Sequence, residues 1–143
     1  MSGTGGEFDL QRFVDAQAPV IDRVRKELTS GHKRSHWMWF VFPQFAGLGR
    51  SAMAQRYAIT SLAEARAYLA HPILGPRLKE CTGLALNIAN QSAESIFARP
   101  DDLKFHSSMT LFAHVAPPES LFAAALEKFF ASQRDSATMR LLD

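Results

Sequence analysis

Prolines and glycines cut this chain of 143 residues into short segments whose apolar side chains recur every three or four positions, the spacing of one helix face. Pro19, Gly31, Pro43, Gly47, Gly49, Pro72, Pro76, Pro117 and Pro118 are the interruptions. Proline fixes φ and lacks an amide donor, so it opens a helix more readily than it continues one. Glycine takes the left-handed conformation that closes one. Between the interruptions, Leu10, Phe13 and Val14 follow Asp9 as an expected N-cap, and Ile21, Val24 and Leu28 form a stripe that stops at Gly31. Ser51 is placed to cap a short helix through Tyr57. Ser61 and Glu64 have capping-box spacing, which predicts a helix over Leu62 to Ala70. Leu78, Cys81, Ala85 and Ile88 make a further stripe. Phe105, Met109 and Phe112 follow Asp101 and Asp102 as alternative caps, and Leu121, Ala125, Leu126 and Phe129 follow Pro117 and Pro118. Asp135 caps the last turns, with Met139 and Leu142 facing inward. Trp37 to Phe42, between Ser35 as a cap and Pro43, fits a helix or a strand equally.

No segment alternates long enough for a strand, nothing repeats, and no linker divides the chain. The expected class is all-α: a single domain of about six to eight helices, several of them short, over 8–143, preceded by a flexible tail over 1–7. Its composition, 47% hydrophobic and 21% charged, is that of a globular protein.

Charge and cysteine content exclude several function classes. Sixteen Lys and Arg against fourteen Asp and Glu leave a formal net charge of +2, too small to drive wholesale binding of nucleic acid. Any anion site must be local. The longest apolar run has six residues where a membrane span needs about 20. The lone cysteine, Cys81, cannot form an internal disulfide, and Met1 to Gly6 have no basic patch or apolar run for export, so a cytoplasmic location is expected. No phosphate loop or dinucleotide glycine fingerprint is present, and no cofactor is expected.

The most informative stretch is His32 to Ser51. Lys33, Arg34, Ser35, His36, Trp37 and Trp39 put phosphate-capable donors beside two large aromatic faces, and the stretch runs on into Pro43, Gln44 and a glycine turn. The structural alternative makes Trp37, Trp39 and Phe42 core anchors and Lys33 and Arg34 a solvated edge. His32 and His36 stand four apart without a third ligand nearby, so no metal is expected. His71 and His114 close helix ends, where a cation suits the dipole. Lys104, His106, Ser107, Ser108 and Thr110 form a polar insert between apolar positions; the hydroxyls either bond back to the preceding turn or point into a pocket. In a pocket, His36 or His106 would be the base and Ser107 or Ser108 a nucleophile, although no nucleophile turn surrounds them. Cys81 sits on the apolar stripe and reads as a buried small hydrophobe.

The run Gly31-His32-Lys33-Arg34-Ser35-His36-Trp37-Met38-Trp39 resembles a bacterial and fungal family known as domain of unknown function 1810. So do Phe42-Pro43-Gln44, Gly47-Leu48-Gly49, Tyr57-Ala58-Ile59, Tyr68-Leu69-Ala70-His71-Pro72, Leu74-Gly75 and Ser107-Ser108-Met109-Thr110-Leu111-Phe112. The resemblance runs from about Phe8 to Leu142. It implies a small, mainly α-helical fold and no established activity. Some members carry a calpastatin label, but the repeated, disordered segments of such an inhibitor are missing here. The chain departs from the family pattern near its end, where Ser132 stands in place of a glycine before Asp135 and Met139 in place of a leucine after Thr138.

The function expected from these residues is a pocket between His32–Gln44 and Lys104–Thr110 for a phosphate-bearing, nucleotide-like metabolite. Lys33 and Arg34 would hold the anion, and Trp37 or Trp39 would stack on the ligand or wall the pocket. His36, Gln44, Ser108 and Thr110 would supply hydrogen bonds, with Lys104 and Ser107 also at the site; His36 and Ser108 are the candidates for catalysis. The alternative is a noncatalytic protein–protein interaction module using the aromatic stretch with Phe45, Met53 or Tyr57. A weaker third is nucleic-acid binding through the basic loop with Arg50 and Arg56.

Overall fold

The computed structural model describes residues 8–142, and among them it has ten helices and no strand beyond one parallel bridge, Phe45 to Ile59. The tail expected over 1–7 lies outside the described residues. The helices are α1 (Gln11–Gln17), α2 (Ile21–Ser30), α3 (Met38–Val41), α4 (Ala52–Arg56), α5 (Leu62–Ala70), α6 (Leu74–Leu86), α7 (Ala93–Phe97), α8 (Asp101–Val115), α9 (Leu121–Phe130) and α10 (Ser136–Leu142). The all-α class is as expected, and Trp37 to Phe42 resolves into the short helix α3. The count exceeds six to eight because α3, α4 and α7 span only four or five residues. α7 escaped the stripe pattern altogether; its signal was Ser92, whose hydroxyl accepts from the Ser95 amide at 3.1 Å. No described helix is long and apolar enough to cross a membrane.

Local chemistry explains most boundaries. Gly31 ends α2 in the left-handed conformation at φ 84°, its amide reaching the carbonyls of Glu27 and Leu28. Ser51, Ser61 and Ser120 cap α4, α5 and α9 through their hydroxyls, and Asp135 accepts from the Thr138 amide at the start of α10. Three expected caps are corrected. Leu10, not Asp9, is the N-cap of α1, and no side chain bonds there. Ser35 does not cap α3; its hydroxyl donates to Glu27 instead. Asp101 and Asp102 lie inside the first turn of α8 behind Pro100, where their charges meet the helix dipole. His71 ends α5, but its imidazole works for the next helix: Nδ1 accepts from the amides of Ile73 at 3.1 Å and Leu74 at 3.2 Å. A ring accepting at Nδ1 must be neutral there, and burial lowers its pKa in the same direction.

The core forms around α8, which packs against α3, α5, α7, α9 and α10, while α6 packs against α2, α5 and α9. Phe105 and every residue from Ser107 to Ala113 are buried, so α8 is enclosed on nearly all sides rather than along one stripe. Phe105 stacks on Phe97 at 4.5 Å and meets Phe42 edge-on at 5.0 Å, and Tyr68 lies between Phe13 at 5.1 Å and Phe112 at 5.4 Å. Each such ring removed from water contributes about 2–3 kcal/mol. Polar side chains tie the periphery to this core. Gln17 donates to the Phe40 carbonyl at 2.6 Å, and Arg12 spans to the Ala58 carbonyl at 2.8 Å and Glu64 at 3.2 Å.

Candidate functional site

The His32–Trp37 loop is held by a residue outside it. Past Gly31 the chain turns back along α2, and the Glu27 carboxylate collects four donors from it. These are the Arg34 amide at 2.8 Å, the Ser35 amide at 3.1 Å, the Ser35 hydroxyl at 2.6 Å and the Trp37 indole Nε1 at 2.9 Å. Burial alone would push this carboxyl up. The hydrogen bonds from Ser35, Arg34 and Trp37 outweigh it and hold Glu27 below the usual carboxylate range. Trp37 is buried, and the loop is pinned again where the Lys33 amide donates to the Ile96 carbonyl at 2.8 Å.

On this base two lysines converge. Lys33, its side chain 7% exposed, pairs with Asp101 at 2.7 Å and lies 5.1 Å from the centre of the Trp37 ring. Lys104, one turn along α8, reaches the other oxygen of Asp101 at 3.6 Å and lies 4.9 Å from the centre of the half-buried Trp39 ring. Both ammonium groups face π clouds that favour cations. Two cations share one carboxylate, and Arg34 and His36 are exposed on the adjoining loop. The arrangement can attract an anion and offer it a flat aromatic wall.

Lys33, Trp37, Trp39 and Lys104 are thus brought together through Asp101, with Arg34 and His36 at the edge. The other candidates lie elsewhere. Gln44 lines a separate small cavity of about 150 Å³ with Gly49, Ala54 and Thr60. Ser107 donates to the Leu103 carbonyl at 3.1 Å and to Asp135 at 3.0 Å. Thr110 donates to the His106 carbonyl at 2.8 Å and accepts the Asp135 amide at 2.9 Å. Both hydroxyls bond back one turn and anchor α10. Ser108 is fully buried, and among the described residues its hydroxyl has no hydrogen-bond partner. His106 stacks on Phe130 at 3.9 Å and contacts the Gln133 carbonyl at 2.7 Å. Cys81 is fully buried, and burial raises its thiol pKa to about 12, which makes it a core residue and not a nucleophile. Among the described residues no group of three or more His, Cys, Asp or Glu is placed to hold a metal ion.

Sequence reasoning missed Glu27 and Asp101. Glu27 occupies an apolar-stripe position of α2 between Val24 and Leu28, and a carboxylate at such a position signals a buried partner set. Asp101 was read only as a helix cap.

These features define a class: a small all-helical protein with a cation–aromatic cluster at the edge of its core. The chain belongs to the family described as "Protein of unknown function (DUF1810)", whose model matches residues 7–142. It is similar to the conserved hypothetical protein Rv1873 from Mycobacterium tuberculosis, known from a crystal structure at 1.38 Å. That chain is 56% identical, with a TM-score of 0.93 over 94% of this chain and 96% of the other. No curated protein matches the sequence significantly.

Proposed function

We propose that the cluster binds a small phosphate-bearing, nucleotide-like metabolite. Lys104 and Arg34 meet the phosphate, Trp39 walls the planar portion, and His36 supplies a hydrogen bond from the loop edge. Lys33 and Trp37 form the base beneath, and Gln44, Ser107, Ser108 and Thr110 have no part in it. One observation carries this reading: two lysines from segments distant in sequence stand over two tryptophans and share a single carboxylate. The longer Lys104–Asp101 contact adds little to stability, because a partly exposed pair contributes at most about 1 kcal/mol, which leaves Lys104 available to a ligand. The same reading places the protein in the cytoplasm, in keeping with a single thiol, Cys81, kept reduced and buried.

Thermal melting with a panel of AMP, ADP, ATP and inorganic phosphate tests the reading. A ligand at a hundredfold excess over its Kd stabilises by about 2.7 kcal/mol, which raises Tm by several degrees. Lys104→Ala and Arg34→Ala should melt within a few degrees of the parent and lose that rise. Lys33→Ala is the wrong probe, because it removes a nearly buried side chain that packs on Trp37 and pairs with Asp101, and so disturbs the base of the cluster itself. If no phosphate compound raises Tm, or if both variants respond like the parent, the proposal fails.

A further inference from the structure

A concavity lies away from the cluster, where the end of α5 and the middle of α6 meet the connection between α8 and α9. It encloses about 440 Å³, within the roughly 300–1,000 Å³ typical of sites for small organic ligands. Leu69, Val115, Pro117, Leu121 and Phe122 supply an apolar wall. Leu121 is 40% exposed there, one of few large apolar side chains this chain leaves open to water. Two cations, Arg66 of α5 and Lys79 of α6, also line it, and no carboxylate does. Both are exposed, and neither makes an ion pair among the described residues.

We infer that this groove binds an aliphatic carboxylate, its chain along Leu69, Leu121 and Phe122 and its carboxylate between Arg66 and Lys79. An apolar wall selects a hydrocarbon chain. Two unpaired cations select a negative headgroup and repel a positive one. A neutral chain of the same length gains the apolar contact alone, and a phosphate without a chain gains the charge alone. The site stands apart from the Lys33–Lys104 cluster and does not depend on it.

Calorimetric titration with octanoate, octanol and octylammonium separates the two contributions. Octanoate should bind, octanol more weakly, and octylammonium least. The double variant Arg66→Glu with Lys79→Glu should bind octanoate about tenfold more weakly and octylammonium more tightly than the parent. That gain cannot come from a misfolded protein. Leu121→Gln should weaken all three ligands without reordering them. Absence of octanoate binding, equal affinity for octanoate and octanol, or an unchanged preference in the charge-reversed variant each overturns the inference.

Discussion

Glu27 shows why single residues of a site can hide in a sequence. Its partners Arg34, Ser35 and Trp37 lie seven to ten positions ahead and reach it only because Gly31 turns the chain back. Helical periodicity sees the neighbours on a face but not what returns to it. Replacing Glu27 by Gln leaves one oxygen to accept from the Arg34 and Ser35 amides and the indole, but turns an amide donor toward the Ser35 hydroxyl and removes the charge. Equilibrium unfolding should show a loss of about 2–3 kcal/mol at pH 7. The folded protein keeps Glu27 ionised to lower pH than the unfolded chain does. Its contribution is therefore complete above the ordinary value of 4.5 and is lost as pH falls through the lower folded value. The difference between parent and variant should narrow on acidification below about pH 4.5; a constant difference would show that the charge is not what stabilises.

Ser132 was legible from the family pattern, as a residue where a glycine is usual, but its conformation was not. It lies at φ 64° directly after Ala131 at φ 53°, and its amide closes α9 onto the Leu126 carbonyl at 2.9 Å. A left-handed non-glycine residue costs about 1–2 kcal/mol, against which glycine loses about 0.4–1 kcal/mol through the freer unfolded chain. Ser132→Gly should accordingly raise Tm by about 1–3 °C in a calorimetric scan. A lower Tm would place the strain elsewhere.

At the scale of elements, signals confined to one turn were readable and those needing a second element were not. Ser61 and Gly31 sit at the ends of α5 and α2 as expected because the bonds they make close within a few residues. Ser35 and Asp101 carried the same cap-forming chemistry but spend it across the fold, on Glu27 and Lys33. The C-terminal end of α6 is a further case: Lys128 of α9 donates to the Leu86 carbonyl at 2.5 Å and the Ile88 carbonyl at 2.7 Å, closing a helix to which it does not belong. Lys128→Met keeps the aliphatic stem and deletes the donors, so about 1 kcal/mol should be lost. Hydrogen exchange should quicken at the Asn87 and Ile88 amides while the amides of α8 keep their protection. Uniform acceleration would instead mean that α6 and α9 open with the whole molecule.

For the whole molecule, the class of fold was readable because amphipathic stripes and breakers act locally. α8 was read too narrowly, as one apolar face, because its enclosure depends on five other helices. The two stretches singled out in the sequence do meet in the fold. They meet through Asp101 and not through the serines: the hydroxyls of Ser107 and Thr110 are spent on their own turn and on α10. What the chain assembles is a cation–aromatic cluster resting on a buried carboxylate.

The two indole N–H resonances test its role as a ligand site most directly. Trp37 donates its proton to buried Glu27, whereas Trp39 is half-buried beneath Lys104. Titrating the labelled protein with ATP should move the Trp39 signal progressively to saturation and leave that of Trp37 nearly in place, with the Trp39 response lost in Lys104→Ala. A Trp39 signal that stays still through the titration, or moves equally in Lys104→Ala, would contradict the assignment of this cluster as an anion site.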